Sequence, residues 1–319
     1  MLPRQRADVR LRVCVIEEPT CAMCDTRYDG EFFDPATDQM TLYDVGMSAL
    51  VIAEADALAD VLERFAADDD DIAEQRVAAD DDDADAGQRV AAAADDIAER
   101  VADRRAASRA ADARALRSDA REMRRALNAT LWDAPRAIFA NRFANGTFSA
   151  RVSPTSMYAL LAGAASDAQA LATVEAWLTN ATRFGVRGGD DHGGDDHGGD
   201  DAFPAPNRAN RECYWGLPSI AADDPAFAAL GYWRGYVWGP MAQLTHWALE
   251  RYEHVPAIAR ARRQLSDQMG ALMMDQWTRN RHVCENFDPR ANASDCTGTS
   301  FYHWGALNGL IALVDAGVA

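Results

Sequence analysis

The sequence predicts an all-helical chain that carries one small β-hairpin and long loops between paired helices. Three observations predict it: apolar residues recur at 3–4 spacing through most of the chain, one segment alternates around an Asn-Gly pair, and aromatic-rich loops end where helical patterns begin. With 319 residues, 48% of them hydrophobic, the chain can bury a sizeable core as a single domain spanning 1–319.

The elements follow in order. From Asp44 to Phe65, apolar residues at Val45, Ala49, Ile52, Leu58, Val61, Leu62 and Phe65 define one buried helical face, with Asp44 as its N-cap. Residues 66–103 turn repetitive (DDDDIAEQRVAA, DDDDADAGQRVAA, ADDIAERVAD), in units too short and too polar to stack as structural repeats. They read as an acidic low-complexity insertion, a solvated helix or a disordered stretch. Arg104–Trp132 resumes a helix, and AIFANRFANGTFSARV then turns at Asn145-Gly146 as a hairpin. Helical patterns return over 156–164 and 167–180, followed by a Gly/Asp/His-rich loop insertion at 186–210. A helix opens near Pro240 and buries Met241, Leu244, Ala248 and Tyr252; Trp247 also reads as core. The next face is Ile258, Leu265, Met269, Leu272, Met273 and Trp277, and the last is Trp304, Leu307, Leu310, Ile311 and Val314. That makes seven or eight helices.

Charge narrows the partners. A net charge of −18 and 32 basic residues that are all Arg argue against nucleic acid or an anionic membrane, both of which recruit basic patches. No run approaches the roughly 18 apolar residues of a membrane span, and the N-terminal stretch lacks the apolar core of a secretory signal. Sequons at Asn128, Asn145, Asn180 and Asn292 leave a secretory compartment open.

Six cysteines are too few for a disulfide scaffold at this length, and Cys21-Ala-Met-Cys24 has no second CxxC to complete a zinc site, so both are read as structural thiols. GGDDHGGDDHGGDD, with His192 and His197, offers metal donors without any preorganisation and is read as linker.

Chemistry concentrates in three loops: 212–227, 231–240 (GYWRGYVWGP) and 282–307. A sugar presents apolar C–H faces and dense hydroxyl edges, which call for flat aromatic platforms beside rigid donors and carboxylates. Trp215, Trp233 and Trp238, set among glycines, fit such platforms. Glu285, between Cys284 and Asn286, is the carboxylate placed to serve as a general base. Cleaving a glycosidic bond with inversion requires a second, protonated carboxyl roughly 6.5–9.5 Å away.

The ordered segments YDGxxFDxxTxxMxLYDVGMxAL (28–50), CYWGLPSIAxDDPAF, GYWRGxVW, ENFDP and FYHWGALNGL resemble the C-terminal half of the catalytic domain of glycoside hydrolase family 63, in particular its mannosylglycerate hydrolase-like and processing α-glucosidase-like members. The resemblance runs over roughly residues 20–316. It implies an (α/α)6 toroid, incomplete on the N-terminal side, that hydrolyses an α-glucoside or α-mannoside, such as an oligosaccharide or mannosylglycerate, with inversion and with no metal or cofactor. It implies Glu285 as general base, Trp233, Arg234 and Trp238 as the sugar-contacting loop with Tyr214 and Trp215 beside them, and Trp304 as a pocket wall. The family's Ser-Gly-x-Asp acid is replaced: aligned on Tyr28-Asp29-Gly30, its Asp position holds Met23, which cannot donate a proton. Asp25, two residues on, is the substitute acid if the loop is shifted. The alternative is a catalytically inactive carbohydrate-binding remnant.

Overall fold

The computed structural model describes residues 33–34, 39–40, 42–77, 86–186, 216–229, 231–289, 296–300 and 302–318. Cys21, Met23, Cys24, Asp25, His192, His197, Tyr214 and Trp215 lie outside the described residues.

Helix α1 (Val45–Val77) starts where Asp44 caps it, its Oδ1 accepting the Met47 N–H at 2.7 Å. It packs antiparallel against α2 (Ala86–Leu131). The register is written in the ion pairs: Asp56 meets Arg124, Glu63 meets Arg117 at 2.7 Å, and the Phe65 carbonyl accepts from Arg109 at 3.1 Å. Ala55, Ala59 and Ala66 of α1 and Ala106, Ala113 and Ala120 of α2 are all buried, so small side chains line the seam. This corrects the expected face. Leu58, Val61 and Phe65 are 50%, 44% and 53% exposed, because α2 settles on the alanine side of α1. The acidic tract at 66–103 is helical on both sides of residues 78–85, which are not described.

Short strands precede and follow this helix pair. β1 (Phe33–Asp34) pairs with β2 (Gln39–Met40), β3 (Leu42–Tyr43) with β6 (Arg142–Phe143), and β4 (Trp132–Asp133) with β5 (Ile138–Phe139), all antiparallel. The expected reversal at Asn145-Gly146 is present: Gly146 takes φ +89°, and the Phe143 N–H reaches the Thr147 carbonyl at 2.8 Å. The 156–180 region is more broken than its pattern suggests. It holds α3 (Tyr158–Leu161) and α4 (Asp167–Thr173), the latter opened by a Ser166/Gln169 capping box and ending in a π-turn over Val174–Leu178.

Three helices form the C-terminal part: α5 (Gly239–Glu250), α6 (Pro256–Asn280) and α7 (His303–Asp315), with the hairpin β7 (Cys284–Phe287) and β8 (Cys296–Ser300) set between α6 and α7. Ile258, Leu265, Met269, Leu272 and Ile311 are buried as expected. Trp247, Trp277 and Leu310 are instead 42%, 43% and 36% exposed. On α5 the buried positions include Gln243, Thr245 and His246, so the face turned inward is partly polar and Trp247 is rotated outward. Seven α-helices and four two-stranded sheets are present among the described residues, which makes the chain predominantly helical. No described helix is long and apolar enough to cross a membrane.

Candidate active site

The three loops singled out in the sequence are joined through the backbone of the middle one. Val237 exchanges both hydrogen bonds with Phe287, at 2.8 and 3.1 Å, and also bridges Pro218. The Ser219 N–H donates to the Tyr236 carbonyl at 3.0 Å, and Ser219 Oγ accepts from the Gly235 N–H at 2.9 Å. Two glycines bring the helix starts into the same place. A Cβ on Gly239 would sit 1.9 Å from the Trp304 carbonyl oxygen, and one on Gly305 would sit 2.1 Å from that of Cys284. Only bare backbone lets α5, α7 and β7 meet this closely.

Glu285 lies on β7, half-buried, between two donors. Tyr232 Oη donates to Oε1 at 3.2 Å and the Thr299 N–H donates to Oε2 at 3.1 Å. Its neighbour Asn286 is fully buried, and its side-chain oxygen accepts from Thr297 Oγ1. A disulfide, Cys284–Cys296, ties the two strands, with Cα atoms 5.5 Å apart. Nothing in the spacing of six cysteines had marked that pair.

Beside the carboxylate stands an aromatic cluster. Trp233 stacks on Trp238 with centroids 3.7 Å apart and planes 13° from parallel. Tyr232 meets Trp238 edge-on at 4.8 Å, Trp304 meets it at 5.6 Å, and Tyr302 packs on Trp304 at 5.3 Å. Trp238 is fully buried and donates its indole N–H to the Tyr232 carbonyl at 3.1 Å. It underlies the cluster, whereas Trp233 and Trp304 are only partly buried. Arg234 closes the turn from Gly231, and its guanidinium folds back over that glycine, 3.4 Å from where a Cβ would be.

Tyr232, Thr299 and Tyr302 were not picked out by residue type. For Tyr232 a signal existed, since it sits beside the singled-out tryptophan and arginine, but a tyrosine between Gly231 and Trp233 reads equally well as core. Burial, then the Glu285 charge and hydrogen bond, push its phenol above the ordinary value, so it remains a protonated donor. One cluster of three metal-type donors occurs among the described residues, His282, Cys284 and Cys296, with donor atoms within 4.8 Å. Its two sulfurs are bonded to each other, which removes both thiolates from coordination.

A family model for the mannosylglycerate hydrolase MGH1-like glycoside hydrolase domain matches residues 83–305, well over half of the chain, and takes in Glu285 and the whole 231–240 loop. The chain belongs to the MGH1-like glycoside hydrolase family. No curated protein matches it. Among solved structures, this MGH1-like chain is similar to neutral trehalase Nth1 from Saccharomyces cerevisiae (15% identity, TM-score 0.43, covering 63% of this chain and 30% of that one). It is also similar to the GH63 mannosylglycerate hydrolase from Thermus thermophilus, in its complex with glucose (19%, TM-score 0.42, 66% and 44%) and in that with Tris and D-glycerate (19%, TM-score 0.44, 66% and 42%). The chain spans less than half the length of each of these structures. Likeness at that level assigns no substrate to this MGH1-like chain.

Proposed function

We propose that this chain carries the base-bearing side of an inverting glycosidase site, acting on an α-linked glucosyl or mannosyl unit such as an oligosaccharide or mannosylglycerate, with Glu285 as general base. The observation that supports this most is the seat of Glu285, a carboxylate held by two donors at the edge of a stacked aromatic cluster. A carboxylate has about four lone-pair positions, so two donors fix its orientation and leave capacity to accept a proton from water. Trp233, flat against buried Trp238, offers a rigid platform for a pyranose face, and Trp304 a second wall. In this reading Trp238 acts beneath the platform and Arg234 supplies the donor fork for hydroxyls. Tyr214 and Trp215 join the sugar subsite, and Asp25 is the acid on the opposite face; these three rest on the resemblance alone. The helical hairpins are read as an arc of an (α/α)6 toroid with the loops gathered at one end.

The test is hydrolysis of α-glucosides, α-mannosides and mannosylglycerate, with the product anomer followed by NMR. Turnover with inversion is expected, and Glu285→Gln should lower kcat at least about 100-fold, the range for loss of a general base. Turnover that survives Glu285→Gln would overturn the assignment.

A second reading, an inactive carbohydrate-binding remnant, is favoured by Met23 at the aligned acid position. Calorimetric sugar binding by both wild type and Glu285→Gln, with turnover by neither, would establish it.

A further inference from the structure

We infer that Tyr232 is a positioning residue for the Glu285 carboxylate, set in a strained turn so that its hydroxyl is aimed at Oε1; this rests on the reading of Glu285 as general base. The turn is closed by two backbone bonds: the Arg234 N–H donates to the Gly231 carbonyl at 2.7 Å, and the Gly231 N–H donates to the Arg234 carbonyl at 3.2 Å. Tyr232 occupies its second position with φ +41°. Positive φ there defines the primed turns, which glycine, asparagine and aspartate dominate, so a bulky aromatic is sterically disfavoured. Two glycines flank the same loop, yet the strain falls on the tyrosine.

Such a conformation persists only when its surroundings over-determine it. Here three contacts do so. The Tyr232 carbonyl accepts the Trp238 indole N–H at 3.1 Å, its ring packs edge-on against Trp233 at 5.4 Å and Trp238 at 4.8 Å, and its hydroxyl donates to Glu285 at 3.2 Å. The first holds the backbone, and the second the ring, on the aromatic cluster that would bind the sugar. The third passes that placement to the carboxylate. Tyr232 therefore couples the platform to the base: the group that stacks under a sugar and the group that would activate water share one side chain as their common support. The titratable neighbours that bear on this phenol are Glu285 and, more weakly, Tyr302.

Tyr232→Phe removes the hydroxyl and keeps the ring and its stacking. It is expected to lower kcat about ten-fold, the scale of one lost hydrogen bond to a charged group, with KM within about two-fold, because sugar contacts are retained. A raised KM with unchanged kcat would make Tyr232 a binding contact and overturn the inference, as would no change in either. A second arm needs no turnover. The phenolate absorbance that Tyr232→Phe removes from the ultraviolet titration identifies the Tyr232 transition, and Glu285→Gln should move that transition to lower pH. A transition that does not move would overturn the contact itself. Should the wild type hydrolyse no α-glycoside, the base assignment fails while the titration still decides whether Tyr232 and Glu285 are coupled.

Discussion

At Gly298 the backbone takes φ +72°, and a Cβ there would come within 2.5 Å of Glu285 Oε2. Gly298→Ala therefore strains the backbone and pushes the carboxylate off the Thr299 N–H. Activity should fall about ten-fold or more, the loss expected when one donor to a charged group is broken, and the melting temperature should fall by a few degrees, because a side chain at positive φ costs about 1–2 kcal/mol. Kinetics and a melting curve on the purified variant check both parts. Glu285 could be singled out by residue type, as a carboxylate between Cys284 and Asn286 in a region poor in other acids on its N-terminal side. Its two donors could not: Tyr232 reaches it across 53 positions, and Thr299 donates through its backbone, to which a side-chain reading is blind.

Two close approaches and one covalent tie hold the elements around the site. Gly239→Ala or Gly305→Ala would drive a methyl group into a carbonyl oxygen, at 1.9 and 2.1 Å, and neither backbone can yield without separating α5, α7 and β7. Each should cost about 1–3 kcal/mol, as overpacking does, measurable as a lower denaturant midpoint. The Cys284–Cys296 disulfide closes a loop with a separation of 12 residues, so replacing both cysteines by serine should cost roughly 3 kcal/mol and loosen the strand that carries Glu285. Denaturation of oxidised, reduced and double-serine proteins separates these effects. The helices themselves were legible. The Asp44 cap, the Asn145-Gly146 reversal and the proline-opened α5 are local signals that the chain obeys. Which face each helix buries was less so, as Leu58, Val61, Phe65, Trp247 and Trp277 demonstrate. An apolar stripe says only that one face prefers cover, and the partner's shape chooses among the sides available.

Across the whole molecule, the buried His246 gives stability a pH dependence. Burial is the larger influence and holds its imidazole below the ordinary 6.5, against the opposing pull of Asp315, whose Oδ1 lies 2.9 Å from Nε2 and also from Arg262 Nη2. The folded state binds this proton less readily than the unfolded chain, so the contribution is present above pH 6.5 and is lost as pH falls through the folded value. The denaturation midpoint should therefore drop between about pH 7.5 and about pH 5.5, and drop less in His246→Asn. The sequence by itself determined the helical class, the position of the hairpin turn and the three loops rich in aromatic and acidic chemistry, because periodicity, capping and turn preference act over a few residues. Only the tertiary structure decided that Val237 would join those loops, that Trp238 would lie beneath Trp233, and that a strained Tyr232 would reach Glu285. These contacts join residues far apart in the chain, and their free energy depends on how whole elements pack.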